Sequence, residues 1–420
     1  MRVLVAGADG YIGFCLSMHL ANNGFDVVGV DNFLRRREVN EVGSQSATPI
    51  SSMPDRLSAF DKKFGRKMSF EYGDLRDYAF VYHVLKKYKP DTIIHLGEQS
   101  SAAYSMINVD TAVLTQTNNI VGTLNVLHAI HNVVPQCNLV KMGSMGEYGT
   151  PNIPIPEGFL EIEYEGRKDV LPFPKHAFTD WYHWSKVHDS GNTMLACEIW
   201  NLRSIDIMQG IVYGTRTDEV VNDSLLTRFD FDAFFGTVLN RFCAQAVLGQ
   251  KLTVYGAGGQ RRPFISLRDS IQCLKLAVEN PPDEGEYLVF NQFDEAYSII
   301  EIAEKVKKVG DKLGFEVEIE HIENPRIEEE NVSYYNPVHE KLYTLGFKPK
   351  HTMDEVLNEI IADLTKYKDR ILEKKDKISP SVRWNGAEIS ARAPIEFSFP
   401  NATTESYNPK TFHTSKNCRT

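Results

Sequence analysis

A tyrosine and a lysine four positions apart, in Tyr182-His183-Trp184-Ser185-Lys186, carry the first recognisable chemistry of the chain. The stretch 181–200 has a helical pattern, and on a helix positions i and i+4 share one face, so the two side chains meet. An ammonium beside a phenol stabilises the phenolate and draws its pKa toward working pH. Such a phenolate takes the proton of a hydroxyl while hydride leaves the same carbon. The spacing alone is common and usually marks a solvated pair, so its weight comes from what precedes it. Lys141-Met142-Gly143-Ser144 closes an apolar run and puts the Ser144 hydroxyl at a strand tip, able to donate to the same substrate oxygen. A serine there otherwise caps a turn. Glu147 and His183 lie close by in sequence and are candidates for a second acid/base pair, although a helical histidine is as often a packing residue.

A departing hydride needs an acceptor, and the chain opens with a site for one. Gly7-Ala8-Asp9-Gly10-Tyr11-Ile12-Gly13 follows an apolar run and begins a helical one. Glycines there allow a tight turn, let backbone N–H groups approach a pyrophosphate, and let helix pack on strand. The helix adds its positive dipole end. Tyr11 and Ile12 sit inside this turn. Asp31 and Asn32 end the second apolar run, where a carboxylate accepts ribose hydroxyls and repels a 2′-phosphate, favouring NAD over NADP. Arg35 and Arg36, just beyond, weaken that preference. Asp74 and Leu75 follow the third run at the place for adenine. Asn119, on a later helix, touches the cofactor or braces the site.

The apolar runs at 3–6, 27–30, 70–72, 92–96, 139–142 and 205–208 read as buried strands, with helical stretches such as 11–23 and 121–132 between them. Continuous apolar strands alternating with helices indicate a parallel sheet covered on both faces. The expected fold class is therefore α/β, a Rossmann-type doubly wound sheet in residues 1–210, with long insertions at 35–67 and 151–174. Beyond 210, helices at 231–249, 269–279 and 300–313 and a strand at 252–255 describe a smaller, mixed α/β substrate domain to residue 378. That domain either stays separate or returns in part to the first. Residues 379–420 lack periodicity and read as an extended tail.

Together the Gly7/Gly10/Gly13 turn, Ser144 and Tyr182/Lys186 resemble the extended short-chain dehydrogenases/reductases. Longer runs, KMGSMGEYGTPN (141–152), YHWSKVHDS (182–190), QGIVYGTRTDE (209–219), LNRFCAQAVLGQKLTVYGAGGQ (239–260) and ENPRIEEE (323–330), resemble the UDP-sulfoquinovose synthase family across residues 1–385. The resemblance implies that NAD-dependent oxidation at C4 of UDP-glucose is followed by loss of water across C5–C6, addition of sulfite at C6 and return of hydride to C4. It implies Tyr182 as base, Lys186 as its tuner, and Ser144 where the family carries Thr. Glu147 and His183 match family active-site positions and become candidates for proton transfers at C5 and C6. Arg262 and Arg326 match arginines that meet the diphosphate, a role suited to bidentate guanidinium contacts. Gln209 and Thr237 are candidates for sugar or uracil contacts, and relatives commonly form homodimers.

Within Gly97-Glu98-Gln99-Ser100-Ser101-Ala102-Ala103-Tyr104, Gln99 and Ser100 fall at substrate-facing positions of the family pattern, but Ser100 replaces its Arg. Arg262-Pro263 replaces Arg-Gly, and the segment 331–334 is longer than the pattern. These departures keep an alternative open: a nucleotide-sugar 4-epimerase or 4,6-dehydratase without sulfite chemistry. A catalytically silent NAD-binding scaffold is disfavoured, because both Tyr182 and Lys186 are present.

Composition narrows the partners. A formal net charge of −10 over 420 residues argues against a nucleic-acid partner, which needs a basic face. The 6 cysteines are scattered with no C-x-x-C pair, so neither a zinc site nor a disulfide frame is expected. No apolar run reaches membrane-spanning length and the first residues already form a core strand, so the expected location is the cytoplasm, away from membranes.

Overall fold

Mostly apolar runs form the seven parallel strands of the main sheet in this computed structural model, which describes residues 1–177, 180–325, 335–380 and 383. These strands are β1 Arg2–Ala6, β2 Asp26–Asp31, β3 Ser69–Tyr72, β4 Thr92–His95, β5 Asn138–Ser144, β6 Arg203–Gln209 and β7 Tyr287–Gln292. Across the sheet they run β7-β6-β5-β4-β1-β2-β3. The order reverses between β1 and β4, whose register pairs Val5 with Ile94 and Ala6 with His95. Such a reversal opens a crevice beyond the carboxyl ends of the strands, where ligands bind in this architecture.

Both faces of the sheet are covered. Helix α1 (Tyr11–Asn22) and the helix Leu267–Glu279 bury Phe14, Met18, Ile271 and Leu274 against Val3, Val5 and Ile94. On the other face, the helices Tyr78–Tyr88 and Gly122–Val133 place Val81, Leu85, Val126 and Ile130 against Leu4, Ala6 and Leu139. Each such side chain contributes about 1.5–3 kcal/mol on burial. The frame is thereby strong enough to carry charged groups at its rim.

The six expected strands appear with ends displaced by at most two residues. The seventh, β7, comes from well beyond residue 210, pairs Leu288 with Ile205, and was not expected. Its apolar run is only Leu288-Val289-Phe290, flanked by Tyr287, Asn291 and Gln292. Those polar groups are satisfied inside the protein: Tyr287 donates to Asp206, and Gln292 donates to the Ser270 carbonyl. A second correction concerns the helix expected at 231–249, which begins at Val238. Asp232 caps the N–H groups of Phe234 and Phe235 in a turn, and Thr237 accepts from Asn240 as the true N-cap. This helix, Val238–Leu248, packs Phe242 and Val247 with Phe264, Val306 and Leu357 in a separate core.

The insertion at 35–67 folds into α2 (Leu34–Glu41) and α3 (Met53–Phe64), the latter capped by Ser52 and ended by Gly65 at φ 64°. The one at 151–174 is an antiparallel hairpin, Phe159–Tyr164 with Arg167–Pro172. Glu157 bolts its base by accepting from the N–H groups of Asn291, Glu340 and Lys341. No helix among the described residues is long and apolar enough to cross a membrane.

Candidate active site

The crevice beyond β1, β4 and β5 is a cavity of about 470 Å³, lined from the main sheet by Gly7, Gly13, Ser144 and Tyr182 and from the second core by Thr237 and Arg262. Its first wall depends on missing side chains. Gly7 has φ +84°, and a Cβ there would lie 2.5 Å from the Leu96 carbonyl oxygen. A Cβ on Gly13 would lie 2.0 Å from the Gly7 carbonyl oxygen. Only glycine permits this approach of turn to strand. Gly10 caps α1 with no side-chain acceptor, so the first N–H groups of the helix face the crevice. Tyr11 anchors the turn by donating to the Gly214 carbonyl at 2.6 Å, and Ile12 lines the cavity.

Asp31 ends β2 at the cavity wall, accepting from the N–H groups of Asp9 (2.8 Å) and Phe33 (2.6 Å). Burial, then the neighbouring Asp9 carboxylate, push its carboxyl up to about 6. Asn32 donates to Asp74, which is also gripped by Arg76. Leu75 lines the cavity, whereas Asp74 stands behind it. Arg36 turns away to fork onto Asp9, with Nε at 2.7 Å and Nη2 at 2.6 Å. Arg35 does face the cavity, and its Nη2 donates to Ser100 Oγ at 2.7 Å.

Tyr182, His183 and Lys186 all come from α4 (Trp181–Trp200), whose N-cap is Asp180. Asp180 accepts from the His183 N–H at 2.8 Å and contacts His183 Nδ1 at 2.6 Å, fixing the ring at the cavity edge. Lys186 Nζ lies 6.0 Å from the centre of the Tyr182 ring, donates to the Met142 carbonyl and pairs with Glu98. Burial, followed by the carboxylates of Glu98, Glu147 and Asp180, holds the Tyr182 phenol well above its ordinary value, against the opposing charge of Lys141. Ser144 lines the cavity at the tip of β5 and accepts from the Gly146 N–H.

Besides Asp74, Glu147 and Gln99 lie behind the wall instead of at the ligand, and Asn119 takes the bracing one of its two expected roles. Glu147 is fully buried, accepting from the Ser144 N–H (2.9 Å), Lys175 Nζ (2.6 Å) and Ser190 Oγ (2.8 Å). Although burial works the other way, Lys141 and Lys175 hold its carboxyl down at about 2. Gln99 is spent on Thr115 and Ser101. Asn119 ties the Gln99 N–H and carbonyl to Ser185 on α4. It stands in a π-helical turn, Thr117–Val121, between the helices Val109–Gln116 and Gly122–Val133. At the far end, Gln209, Thr237 and Arg262 line the cavity, while Arg326 lies outside the described residues.

Among the lining residues missed by sequence reasoning are Glu98 and Arg241. Glu98 follows the tip of β4, where a strand-end rule applied as for Ser144 would have found it. Arg241, on α5 (Val238–Leu248), stacks over the Tyr255 ring at 4.3 Å, and its place one turn after the Thr237 cap was a usable signal.

The family described as GDP-mannose 4,6 dehydratase matches residues 4–160. A UDP-sulfoquinovose synthase from Sulfolobus acidocaldarius is 49% identical over 393 residues, spanning 93% of this chain and 100% of the relative. The chain belongs to the UDP-sulfoquinovose synthase family. Its relative from Spinacia oleracea, a chloroplastic UDP-sulfoquinovose synthase, is 48% identical over 384 residues, 91% of this chain and 79% of that one. Among solved structures, UDP-glucose-4-epimerase from Stenotrophomonas maltophila, with bound NAD and formylated UDP-arabinopyranose, aligns at TM-score 0.66 and 18% identity over 89% of this chain and 99% of that one. The Bifidobacterium longum UDP-glucose 4-epimerase, in complex with NAD+ and UDP, aligns at TM-score 0.64 and 20% identity over 90% and 100%. These likenesses bear out the Rossmann-type fold of the family.

Proposed function

We propose that this chain is an NAD-dependent enzyme that converts UDP-glucose and sulfite to UDP-sulfoquinovose. The observation that carries the reading is that one cavity joins the glycine turn to the Tyr182/Lys186 pair and to Arg262. Residues 1–210 mainly hold NAD and 211–378 mainly hold the UDP-sugar. The close backbone packing that only glycine allows at Gly7 and Gly13 brings the N-terminus of α1 to the cavity wall, where a pyrophosphate fits; Asp31 accepts the ribose hydroxyls and Leu75 faces the adenine. NAD supplies the hydride acceptor at the start and the donor at the end. At the other end Arg262 and Arg241 meet the diphosphate, helped by Arg326, with Gln209 and Thr237 at the sugar or uracil.

Tyr182 takes the proton of the C4 hydroxyl, and Ser144 donates to the same oxygen. The resulting ketone acidifies the C5 proton, so that proton leaves and water departs from C6. The sulfur lone pair of sulfite then adds to C6 while C5 regains a proton. When hydride returns to C4, Tyr182 gives its proton back. His183, fixed by Asp180 and facing the cavity, is the carrier for the C5 and C6 protons. Glu147 is not, since its carboxylate is walled off and holds no proton to give. Arg35 brings a guanidinium to Ser100, the position where the family pattern has its arginine, and gives sulfite a cation there.

Exposed Val109, Val113, Val121 and Leu124 on the helices beside α4, with Leu195 and Ile199 on α4, support a homodimer built on these helices. The five described cysteines are buried free thiols, which suits a reducing compartment such as the cytoplasm.

Mass spectrometry of the enzyme with UDP-glucose, with and without sulfite, tests the reading. A sulfite-dependent UDP-sulfonosugar supports it. A UDP-hexose isomer or a dehydrated sugar, indifferent to sulfite, replaces it with the epimerase or dehydratase alternative, which the Ser100 departure favours.

A further inference from the structure

We propose that Glu98 is a positioning residue of the reaction: its carboxylate holds the Lys186 ammonium at the foot of the cavity and sets how strongly that charge acts on the Tyr182 phenol. The inference rests on the oxidation half of the function above and not on the sulfite step.

Glu98 lines the cavity just past β4, with its side chain only 2% exposed. Among the described residues neither of its carboxylate oxygens receives a hydrogen bond. What it has is the charge contact with Lys186. An enclosed carboxylate with a single countercharge is a costly arrangement, and a purely structural residue would be better replaced by an apolar one. Lys186 in turn has three donors, of which Met142 takes one and Glu98 competes for another. The ammonium is therefore shared between the floor of the site and any ligand above it.

The groups around the pair leave Glu98 as the side chain that faces Lys186 most closely. From β4, His95 comes within 3.8 Å of Glu98, but burial lowers it to about 4 and keeps it neutral. From α4, Asp189 is buried with neither oxygen hydrogen-bonded among the described residues. Burial, then the Glu98 charge, push its carboxyl well above the ordinary value, against Lys141 and Lys186. From β5, Lys141 is occupied by Asp206, Ser190 and the Glu147 carboxylate. Asp180, His183 and Glu147 complete the surroundings of Tyr182. After burial itself, Glu98 is the largest cause holding that phenol up. Removing its charge both withdraws this opposition and releases Lys186 toward the phenolate.

The test compares the holoenzyme with its Glu98→Gln and Glu98→Asp variants, following cofactor reduction by UDP-glucose without sulfite in single-turnover runs across pH. In Glu98→Gln the rising limb should move to lower pH by about one unit, a tenfold change in the phenol ionisation constant. Bound NAD should be unchanged, and Glu98→Asp should bring the limb only part of the way back, between Glu98→Gln and the unaltered enzyme. A limb that stays in place in Glu98→Gln, or an Asp variant indistinguishable from Gln, overturns the proposal. Tyrosinate absorbance, taken as the difference from the same protein carrying Tyr182→Phe, needs no substrate and must show the same displacement. Should UDP-glucose reduce no cofactor in the unaltered enzyme, the functional reading fails while this titration still decides Glu98. Should Glu98→Gln not fold, Glu98→Asp alone decides: its longer reach to Lys186 must displace the titration, and coincidence with the unaltered enzyme overturns the assignment.

Discussion

Two buried carboxylates stand beside helix α4, Glu147 beneath the Ser144 turn and Glu98 at the tip of β4. Glu147 receives hydrogen bonds from a backbone N–H, a lysine and a serine, and has a second lysine at 3.7 Å. Glu98 receives none among the described residues and faces the cavity. The fold can satisfy a buried carboxylate with several donors, as it does at Glu147, whereas Glu98 rests on the Lys186 ammonium. A carboxylate held by several donors fixes a structure in place, and one tied to a single countercharge at a cavity wall acts on that side chain.

The sharpest way to break this contrast is on the cavity side. Tyr182→Phe should cost up to about 10⁴-fold in cofactor reduction, the upper range for a general acid/base. NAD content and urea midpoint should stay as they are, and any sizeable loss of stability would move Tyr182 into the structural class. Glu147→Ala should do the reverse. It leaves Lys175 and Lys141 with Asp206 as their shared countercharge, at about 3–5 kcal/mol, read by urea unfolding. A variant that unfolds normally but turns over poorly would make Glu147 a participant after all.

The same carboxylate makes an acid prediction. Its folded value of about 2 lies below the ordinary 4.5, so its contribution to stability is complete above 4.5 and is lost as pH falls through about 2. Glu147→Gln should remove that segment of the acid unfolding curve. The smallest effect belongs to a third carboxylate, intermediate between the two. Asp31 has two backbone donors but is pushed up to about 6 from the ordinary 3.8. Being raised, it favours folding below 3.8 and loses that contribution as pH rises through about 6. Ribose hydroxyls donate to the ionised form, so NAD affinity should fall about tenfold per unit below pH 6. A flat calorimetric profile between about pH 5 and 7 would detach Asp31 from the ribose.

The contrast also explains which parts of the site could be read from sequence. The strands of the first half and the Gly7–Gly13 turn were legible because unbroken apolar runs and glycines report directly on burial and close approach. β7 was not, since half of its residues are polar and are satisfied only by partners distant in sequence, such as Asp206 and Ser270. Glu147 was placed at the ligand because it adjoins Ser144, but adjacency says nothing of which way a side chain points. Ser144-Met145-Gly146-Glu147 is a capping box, with each side chain bonded to the other's backbone, and that pattern foretold a carboxylate folded under the turn. Gln99 and Asn119 likewise bond each other's neighbourhoods rather than a ligand, a fact fixed by tertiary contacts that no local spacing encodes.

The π-helical turn at Thr117–Val121 has a consequence for how this chain tolerates change. A π turn holds one residue more than the α-helix around it, and it is here that Asn119 gains its reach to Gln99 and Ser185. Losing any one residue from this stretch would restore a regular helix, and by local propensity a better one. It would leave the flanking helices nearly in phase but remove the bulge that carries Asn119, and so take the brace off α4. This enzyme therefore depends on the length of this segment as well as on Asn119 within it, and a directed-evolution library built on deletions should find this stretch closed.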